Sequence, residues 1–372
     1  MRECVRKGER MRAAILVRER EPLVIDEVDL DEPGEHEVHV RIAASGVCHS
    51  CLHSMDGSAV GTPLPMVLGD EGAGTVMRVG RGVTAVNPGD HVIISWAPTC
   101  GRCRYCVTGR PALCTNQPKF GVLRDGRVRM HWRGQDVFHF GTVSSYASEV
   151  VVPEDCAIKV RSDVPLEIAA LIGCALTTGI GAVTNTAKVR PGESVAVFGC
   201  GGVGLSAVMG AALAGANPII AVDVRADKLE IARTVGATHT VDASQEDVGQ
   251  TIGRITGHGV DCSIAAVGVE SVVQQAWASL VPTGVCVLIG FMGSGKQLTI
   301  DPTKLMSQEC RLVGSRYGSS QPLVEFPRLV DLYMSGRLPI DRLITKRYSL
   351  DEINEAHRAL AAGENARGLI VF

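Results

Sequence analysis

The sequence predicts an α/β protein in which a β-rich first domain is followed by a doubly wound parallel sheet. Short apolar stretches separated by Gly and Pro fill the chain up to about residue 150, which is typical of strands and turns. Strand-like and helix-like stretches alternate from residue 194 to residue 289, which is typical of a parallel sheet covered by helices. The 372 residues also exceed what one ordinary core accommodates, so we expect two or three domains.

The first strands are predicted from alternating apolar residues. Residues 14–17 and 38–42 form such stretches, with Pro22, Pro33 and Gly34 between them, and two more follow over residues 72–76 and 90–94. Residues 1–11 are a polar extension that we expect to be frayed, and Met11 is a second candidate start.

Composition narrows the possible partners and the cellular compartment. The net charge is −3 and no long basic run occurs, so neither nucleic acid nor an anionic membrane is expected as a partner. The charged start of the chain lacks the apolar segment of a secretory signal, which favours a reducing, cytoplasmic compartment for the 13 cysteines. The most apolar segment, residues 168–183, is shorter than the ~20 residues a bilayer requires and therefore predicts a core helix.

Four cysteines lie close together with the spacing of a metal site. Cys100, Cys103, Cys106 and Cys114 follow the pattern C-x2-C-x2-C-x7-C. Four thiolates can surround one zinc ion tetrahedrally, and such a closed site is structural rather than catalytic. An iron–sulfur cluster uses similar ligands and is the alternative.

A glycine-rich turn follows a buried strand at residues 194–198. The turn contains Gly199, Gly201, Gly202, Val203 and Gly204, and an apolar helix over residues 205–214 comes next. A second strand, residues 219–222, then ends at Asp223. This combination indicates a dinucleotide site, because the glycines let the backbone approach a pyrophosphate and the acid can bind both ribose hydroxyls.

The rest of the chain continues the alternation. Residues 166–189 are predicted to be helical, as are residues 226–235 and 271–278, and strands are predicted over residues 260–265 and 285–289. The C-terminal part contains two helices, around Leu329 and around Ala356, and a final strand over residues 368–372.

A second group of metal-ligand residue types is spread over three segments. Cys48 is followed about twenty residues later by the adjacent acids Asp70 and Glu71, and Cys174 lies far downstream. A thiolate combined with carboxylates suits a transition metal. Taken alone, Cys48 is better interpreted as a buried cysteine near a surface turn.

These segments resemble those of the zinc-dependent medium-chain alcohol dehydrogenases, in the long form with a structural zinc lobe. The resemblance is carried by Gly46–His53, Gly69–Gly72, Leu171–Cys174 and the four-cysteine spacing, and it runs nearly end to end. It implies a GroES-like, β-rich catalytic domain over residues 1–178, with the zinc lobe at 98–116. It further implies a Rossmann NAD-binding domain over residues 179–321 and a return of residues 322–372 to the catalytic domain.

The resemblance also implies a role for individual residues. Cys48, Cys174 and the Asp70 position would hold a catalytic zinc, with Glu71 as an alternate ligand or as a partner behind the metal. Ser50 and His53 would pass the substrate proton to solvent through the cofactor ribose, and Trp96 would line the substrate pocket. The remaining cofactor contacts would come from His49, Thr178, Arg225, Lys228 and Arg367, beside the glycine turn and Asp223.

Two positions depart from the family pattern. The family usually has His where this chain has Asp70, and Asp where it has Cys51. A carboxylate at position 51 would orient a ligating His at position 70 through a hydrogen bond. The same carboxylate would repel a ligating carboxylate such as Asp70. The two changes therefore compensate each other and indicate an altered metal site that still binds its metal.

The expected function is hydride transfer between a primary or secondary alcohol and NAD, with two zinc ions per chain and a homodimer as the assembly. In this dimer, residues 285–290 would form the edge of the sheet. One alternative is a reductase of an activated C=C or iminium bond without zinc chemistry; another is a non-enzymatic NAD-binding or redox-sensing protein. A dehydrogenase of thiol–formaldehyde adducts is a third, supported by the loop at residues 138–142, but Ala59 and Pro118 replace that branch's anchoring acid and Arg.

Overall fold

The computed structural model describes residues 9–372, which form three sheets. The five strands β1, β2, β7, β8 and β4 close into a small barrel, in that order. The barrel strands are β1 (Glu9–Leu16), β2 (Val24–Leu30), β4 (Met66–Val67), β7 (Met130–Trp132) and β8 (Gln135–His139). Residues 1–8 of the predicted polar extension lie outside the described residues, whereas residues 9–11 belong to β1, because their backbone pairs with β2.

A second sheet, of seven strands, is built from both ends of the chain. Its order is β10-β6-β5-β3-β18-β17, with β9 also paired to β3. Its strands are β3 (Glu37–Gly46), β5 (Gly72–Val79), β6 (His91–Ile94), β9 (Glu149–Pro153), β10 (Ala157–Val160), β17 (Ile344–Tyr348) and β18 (Arg367–Val371). Because β18 pairs antiparallel with β3, the C-terminal segment lies against the strand that leads to Cys48.

The third sheet is parallel, with six strands in the order β13-β12-β11-β14-β15-β16. Its strands are β11 (Val195–Phe198), β12 (Ile219–Asp223), β13 (His239–Asp242), β14 (Val260–Ala265), β15 (Leu280–Leu288) and β16 (Arg311–Gly314). The predicted fold class is therefore confirmed. The predicted sheet edge is wrong: β15 is covered by β16, a short strand that the sequence analysis missed, and β16 forms that edge. The domain boundaries at residues 178 and 321 remain predictions.

The helices cover the parallel sheet and join the two halves of the molecule. They are α1 (His49–Met55), α2 (Arg104–Val107), α3 (Leu166–Leu171), α4 (Thr177–Gly181), α5 (Gly202–Ala214), α6 (Ala226–Thr234), α7 (Val248–Thr256), α8 (Glu270–Ala278), α9 (Pro302–Ser307), α10 (Pro322–Met334) and α11 (Ile353–Ala361). With two π-helical segments, α3 and α4 form one helix, Leu166–Ala187. This helix has 22 residues, so the expectation that it is too short for a bilayer was wrong; 83% of its most apolar window is buried in the protein, as expected of a core helix.

The tight turn after β11 brings α5 against the sheet. Gly199 has a φ of +93°, which favours glycine, and a Cβ on Gly204 would lie 1.7 Å from the Gly199 carbonyl oxygen. A Cβ on Gly201, in contrast, would meet no atom within 4 Å among the described residues beyond its chain neighbours. The turn is therefore tightly packed between Gly199 and Gly204, and it leaves open space beside Gly201.

Replacing Gly204 with Ala should lower the melting temperature, because the new methyl group overlaps the backbone and the helix must shift. We expect a loss of ~1–3 kcal/mol in the free energy of unfolding, measured by calorimetry. The matched control is Gly253→Ala inside α7, where a Cβ would meet no described residue outside its own helical turn within 4 Å. This control should gain ~0.5–1 kcal/mol from better helix propensity, so equal effects at both positions would contradict the prediction.

Candidate active site

A single cleft of about 860 Å³ joins the β-rich half to the parallel sheet. On one side it is lined by Cys48, the residues of α1 that follow it, and Cys174. On the other side it is lined by the glycine turn after β11 and by Asp223 at the end of β12. The two sites predicted from distant sequence segments therefore open into the same space.

A pair of buried thiols lies at the base of the cleft. Cys48 is the residue that caps α1 after β3, and Cys174 lies on the π-helical segment Ile172–Leu176. Their Sγ atoms are 3.9 Å apart and the two residues are 5% and 8% exposed. Two thiolates bound to one tetrahedral zinc at ~2.3 Å are separated by about 3.8 Å, so the observed spacing fits that ion.

Two carboxylates adjoin the thiols, and both are buried. Asp70 Oδ2 lies 3.6 Å from Cys174 Sγ and accepts a 2.5 Å hydrogen bond from Ser50 Oγ. Glu71 contributes an oxygen that lies within 4.8 Å of the sulfurs of both Cys48 and Cys174. Asp70 Oδ1 and Glu71 Oε1 are buried without a hydrogen-bond partner among the described residues. Unpaired buried carboxylate oxygens beside two thiols are the donor set that a zinc ion requires.

The second family departure lies directly behind this group. Cys51 is fully buried, and burial raises its pKa well above the ordinary value, with the Asp70 and Cys48 charges adding to the effect. Burial also raises the pKa of Asp70, which the Ser50 hydroxyl opposes. The Cys51 thiol therefore remains neutral and does not repel the Asp70 carboxylate.

Ser50 and His53 follow Cys48 on α1 and line the same cleft. The ring of His53 contacts Phe291 edge-on at 4.9 Å, and its Nδ1 is 2.9 Å from Ser58 Oγ. Burial lowers the pKa of His53, so the imidazole is predominantly neutral at pH 7. A neutral imidazole at the mouth of the cleft can accept a proton and release it to solvent.

Asp223 is held at the end of β12 by two backbone donors. Its carboxylate accepts hydrogen bonds from the N–H groups of Cys200, at 2.6 Å, and Arg225, at 3.0 Å. A carboxylate has about four acceptor positions, so two remain for ribose hydroxyls. The Arg225 guanidinium is instead bound to Asp227, at 3.0 and 3.2 Å.

The other predicted cofactor contacts also line the cleft, but their present partners differ. Burial and the Arg367 charge lower the pKa of His49 to about 4, so this ring is neutral. The Lys228 ammonium donates to the Asn365 carbonyl, and Thr178 lines the cleft beside Cys174. Arg367 forms an ion pair with Glu71 and donates to the Val47 carbonyl, while its Nε has no partner among the described residues.

The structure places Trp96 behind the cleft wall. Its indole packs on Tyr317 with ring centroids 4.3 Å apart, and it adjoins the backbone of Gly141. Among the described residues, those that line the cleft include Phe120 and Phe140 and do not include Trp96. Sequence reasoning missed both phenylalanines as pocket residues. Phe140 belonged to a loop noted only for its family resemblance, and Phe120 carries no motif.

The four-cysteine group is assembled as predicted from its spacing. The sulfur atoms of Cys100, Cys103, Cys106 and Cys114 all lie within 4.8 Å of one another. Backbone N–H groups donate to Cys100 Sγ at 3.3 Å and to Cys114 Sγ at 3.4 Å. Backbone donors also lower the pKa of Cys103 to about 5, whereas burial and the neighbouring thiols raise that of Cys106 to about 12. Such donors stabilise thiolates, which is the form that binds zinc.

Comparisons with known proteins agree with this geometry. Residues 34–162 match the family model of the alcohol dehydrogenase GroES-like domain, and residues 202–335 match that of the zinc-binding dehydrogenases. The chain is 38% identical to the NDMA-dependent alcohol dehydrogenase of Amycolatopsis methanolica, over 97% of this chain and 98% of the relative. It is 37% identical to the S-(hydroxymethyl)glutathione dehydrogenase of Synechocystis, over 97% and 99%. A solved zinc-binding alcohol dehydrogenase from Burkholderia ambifaria superimposes with a TM-score of 0.94 at 36% identity, covering 98% and 99% of the two chains.

The fold and the site define a two-domain dehydrogenase that uses zinc and a nicotinamide cofactor. The chain belongs to the zinc-dependent medium-chain alcohol dehydrogenase family, and it is an enzyme of the alcohol oxidoreductase class. The family resemblance read from the sequence is thereby confirmed.

A buried histidine that packs against Tyr146 should make stability depend on pH. His357 is 2% exposed, both ring nitrogens lack partners among the described residues, and burial lowers its pKa to about 4. The unfolded value is ~6.5, so between these values the unfolded chain binds more protons and stability falls as the pH drops. We expect His357→Phe to reduce the loss of unfolding free energy between pH 7 and pH 5 by ~2 kcal/mol.

The measurement is denaturant unfolding at both pH values. His258→Phe, at an exposed position, is the control and should leave the pH dependence unchanged. An identical pH dependence in parent and His357→Phe would contradict the assignment.

Proposed function

We propose that this protein oxidises a primary or secondary alcohol to the carbonyl compound, with NAD as hydride acceptor, and catalyses the reverse reaction. The alcohol carbon gives a hydride to the nicotinamide, the hydroxyl gives up its proton, and a carbonyl compound, NADH and one proton result. The observation that carries the proposal is that the thiols Cys48 and Cys174, which adjoin the buried carboxylates, line the same cleft as the glycine turn. The decisive experiment is an assay of alcohols with NAD on protein of known metal content.

We propose that the catalytic zinc is held by Cys48, Cys174 and Asp70, with Glu71 as the alternate ligand. Bound zinc would lower the pKa of an alcohol hydroxyl and polarise a carbonyl. Asp70 is supported by its 3.6 Å distance to Cys174 Sγ and its unpaired Oδ1, whereas Glu71 Oε2 is already engaged by Arg367 and by the Ala175 N–H at 3.2 Å. The grouping of Glu71 with both sulfurs within 4.8 Å favours the alternate ligand.

The proton path is assigned to two residues of α1. The Ser50 hydroxyl donates to Asp70 in this structure; to relay a proton, its oxygen would take the substrate proton while its own proton passes to the cofactor ribose. His53 lines the same cleft, is half-buried, and can release a proton to solvent. His49, Lys228 and Arg367 supply donors and positive charge beside the glycine turn, where a pyrophosphate would bind.

A cytoplasmic location and a homodimer complete the proposal. The location rests on the free cysteines, since thiols persist in a reducing compartment. The alternative activity is the oxidation of thiol–formaldehyde adducts. The 37% sequence identity to the Synechocystis enzyme favours it. Ala59 and Pro118 oppose it, because they stand where that branch has an anchoring acid and an Arg.

Metal analysis should find two zinc ions per chain, one in each site. Asp70→Ala should lose one ion and retain the other, because the two sites share no ligands. Elemental analysis of gently purified protein gives the count, and Cys106→Ser is the matched control that should lose the opposite ion. Full zinc content and activity in Asp70→Ala, with loss of zinc in Glu71→Gln, would transfer the ligand role to Glu71.

The double change Asp70→His with Cys51→Asp tests the compensation directly. The imidazole of Asp70→His alone would lack its carboxylate partner, so the double variant should bind zinc more tightly than either single variant. The pH–rate profile for alcohol oxidation should rise at a more alkaline pH in the parent than in the double variant, because a carboxylate ligand leaves the metal less electrophilic. Additive effects in the double-mutant cycle would contradict the coupling.

NAD should be preferred over NADP, because the Asp223 carboxylate would repel a 2′-phosphate and Arg225 is already paired with Asp227. Asp223→Ala should reduce the ratio of the two kcat/KM values. Asp227→Ala should raise the kcat/KM for NADP by freeing the guanidinium. Asp242→Ala, at the end of the neighbouring strand β13, is the control; an equal or higher kcat/KM for NADP in the parent would refute the preference.

Light scattering at micromolar concentration should give the mass of a dimer. The edge strand β16 has free backbone groups on its outer side among the described residues, and pairing with a second β16 would satisfy them. Gly314→Pro removes one such N–H group, because the Ser315 N–H one position further bonds β15 and neighbouring N–H groups alternate between the two sides. It should weaken the dimer, whereas Leu323→Lys, on the exposed side of α10, should not. A monomeric mass for the parent would contradict the assembly.

A further inference from the structure

One part of the cleft is lined by uncharged residues of the β-rich half, including two phenylalanines. We name it the aromatic arm; it is bounded by Phe120, Phe140 and residues 59–62. We propose that the aromatic arm binds the ring of an uncharged benzylic alcohol, which makes aryl-substituted primary alcohols the preferred substrate class. This inference rests on the proposed alcohol oxidation and specifies its substrate.

The first wall, Phe140, is fixed by its backbone. Its N–H donates to Ser144 Oγ at 2.9 Å, and Ser144 Oγ donates to the Val67 carbonyl at 2.7 Å. The side chain is only 8% exposed, and the neighbouring Gly141 is backed by Trp96. The ring is therefore held in place before any substrate arrives, so binding costs little ordering entropy.

The second wall, Phe120, combines a fixed backbone with an accessible ring. The next residue, Gly121, accepts a 2.9 Å hydrogen bond from the His139 N–H and packs against Pro63 and Phe138. The Phe120 ring nevertheless remains 52% exposed and meets Phe140 edge-to-face, with centroids 5.8 Å apart and an interplanar angle of 82°. This arrangement leaves aromatic surface free in the cleft, to which a third ring can add.

Charge is confined to other parts of the cleft. Among the described lining residues, the cations Arg225, Lys228 and Arg367 lie beside the dinucleotide turn or the thiols, and each is already bound to a protein oxygen. In the aromatic arm, the hydroxyl of Thr62 donates to the Ala59 carbonyl at 3.1 Å. A carboxylate carried into this arm would lose hydration without gaining a partner, which excludes peptide-like thiol adducts more strongly than neutral alcohols.

The nearest cation to the arm along the chain is Lys119, the residue before Phe120. Its side chain is exposed and is not among the described residues that line the cleft. Lys119 is thus a cation next to the arm that could attract an anionic substrate to the mouth, and Lys119→Ala separates that effect from binding within the arm.

The test compares kcat/KM of the zinc-loaded enzyme for benzyl alcohol and cyclohexylmethanol, which have the same number of carbons. Benzylic alcohols are also intrinsically better hydride donors, so the informative quantity is the change of this ratio in variants. Favourable ring contacts correspond to roughly 2- to 10-fold in affinity, and we expect Phe120→Leu and Phe140→Leu to lower the ratio by such a factor. Phe372→Leu, at the exposed C-terminus, is the matched control.

An unchanged ratio in both cleft variants would overturn the inference while leaving alcohol oxidation intact. Should Phe140→Leu fail to fold, Phe120→Leu alone decides, since its ring is half-exposed. The substrate 4-(hydroxymethyl)benzoate should be at least about tenfold poorer than benzyl alcohol, in the parent and in Lys119→Ala. Equal efficiency with the two alcohols would overturn the requirement for an uncharged substrate.

Failure of the proposed function is recognised separately. Inactivity towards every alcohol with both NAD and NADP would refute alcohol oxidation. The fluorine NMR line of 4-fluorobenzyl alcohol then reports binding without turnover: it should broaden with the parent and with Phe372→Leu and broaden less with Phe120→Leu. The same broadening in all three proteins, or none in any, would overturn ring binding in the aromatic arm.

Discussion

The ion pair between Glu71 and Arg367 connects the two halves of the site. Glu71 immediately precedes β5 and Arg367 begins β18, and their side chains are 0% and 3% exposed. Burial alone would lower the pKa of Arg367, but the Glu71 carboxylate together with the charges of Cys48 and Cys174 raises it, so the guanidinium keeps its charge. Removing either partner would leave a buried charge, at a cost of ~3–5 kcal/mol.

Two glycines exist at their positions because of this pair. A Cβ on Gly46 would lie 2.5 Å from Glu71 Oε1, and a Cβ on Gly202 would lie 2.4 Å from the Cδ of Arg367. The glycine at the start of α5 thus accommodates the arginine as well as a dinucleotide. The ion pair therefore links the carboxylate beside the thiols to the turn that faces the cofactor.

The sequence predicted the features that depend on local spacing. The four-cysteine group, the glycine turn with Asp223, and four of the six strands of the parallel sheet follow from patterns within about thirty residues, whereas β13 and β16 were not predicted. The edge strand β16 was missed because it has only four residues and no alternation. Phe120 and Phe140 were missed as pocket residues because they meet only through the pairing of Gly121 with β8, a contact that no spacing encodes.

The choice between Asp70 and Glu71 depends on charge that the sequence does not locate. Two thiolates and two carboxylates around one divalent ion would leave a net charge of about −2, and the buried Arg367 reduces it to about −1. A carboxylate at position 51 would return the net charge to about −2, whereas the neutral Cys51 thiol leaves it at about −1. Since Arg367 already neutralises Glu71, the carboxylate left without a positive partner is Asp70. That electrostatic requirement, more than proximity, is why Asp70 is assigned to the metal.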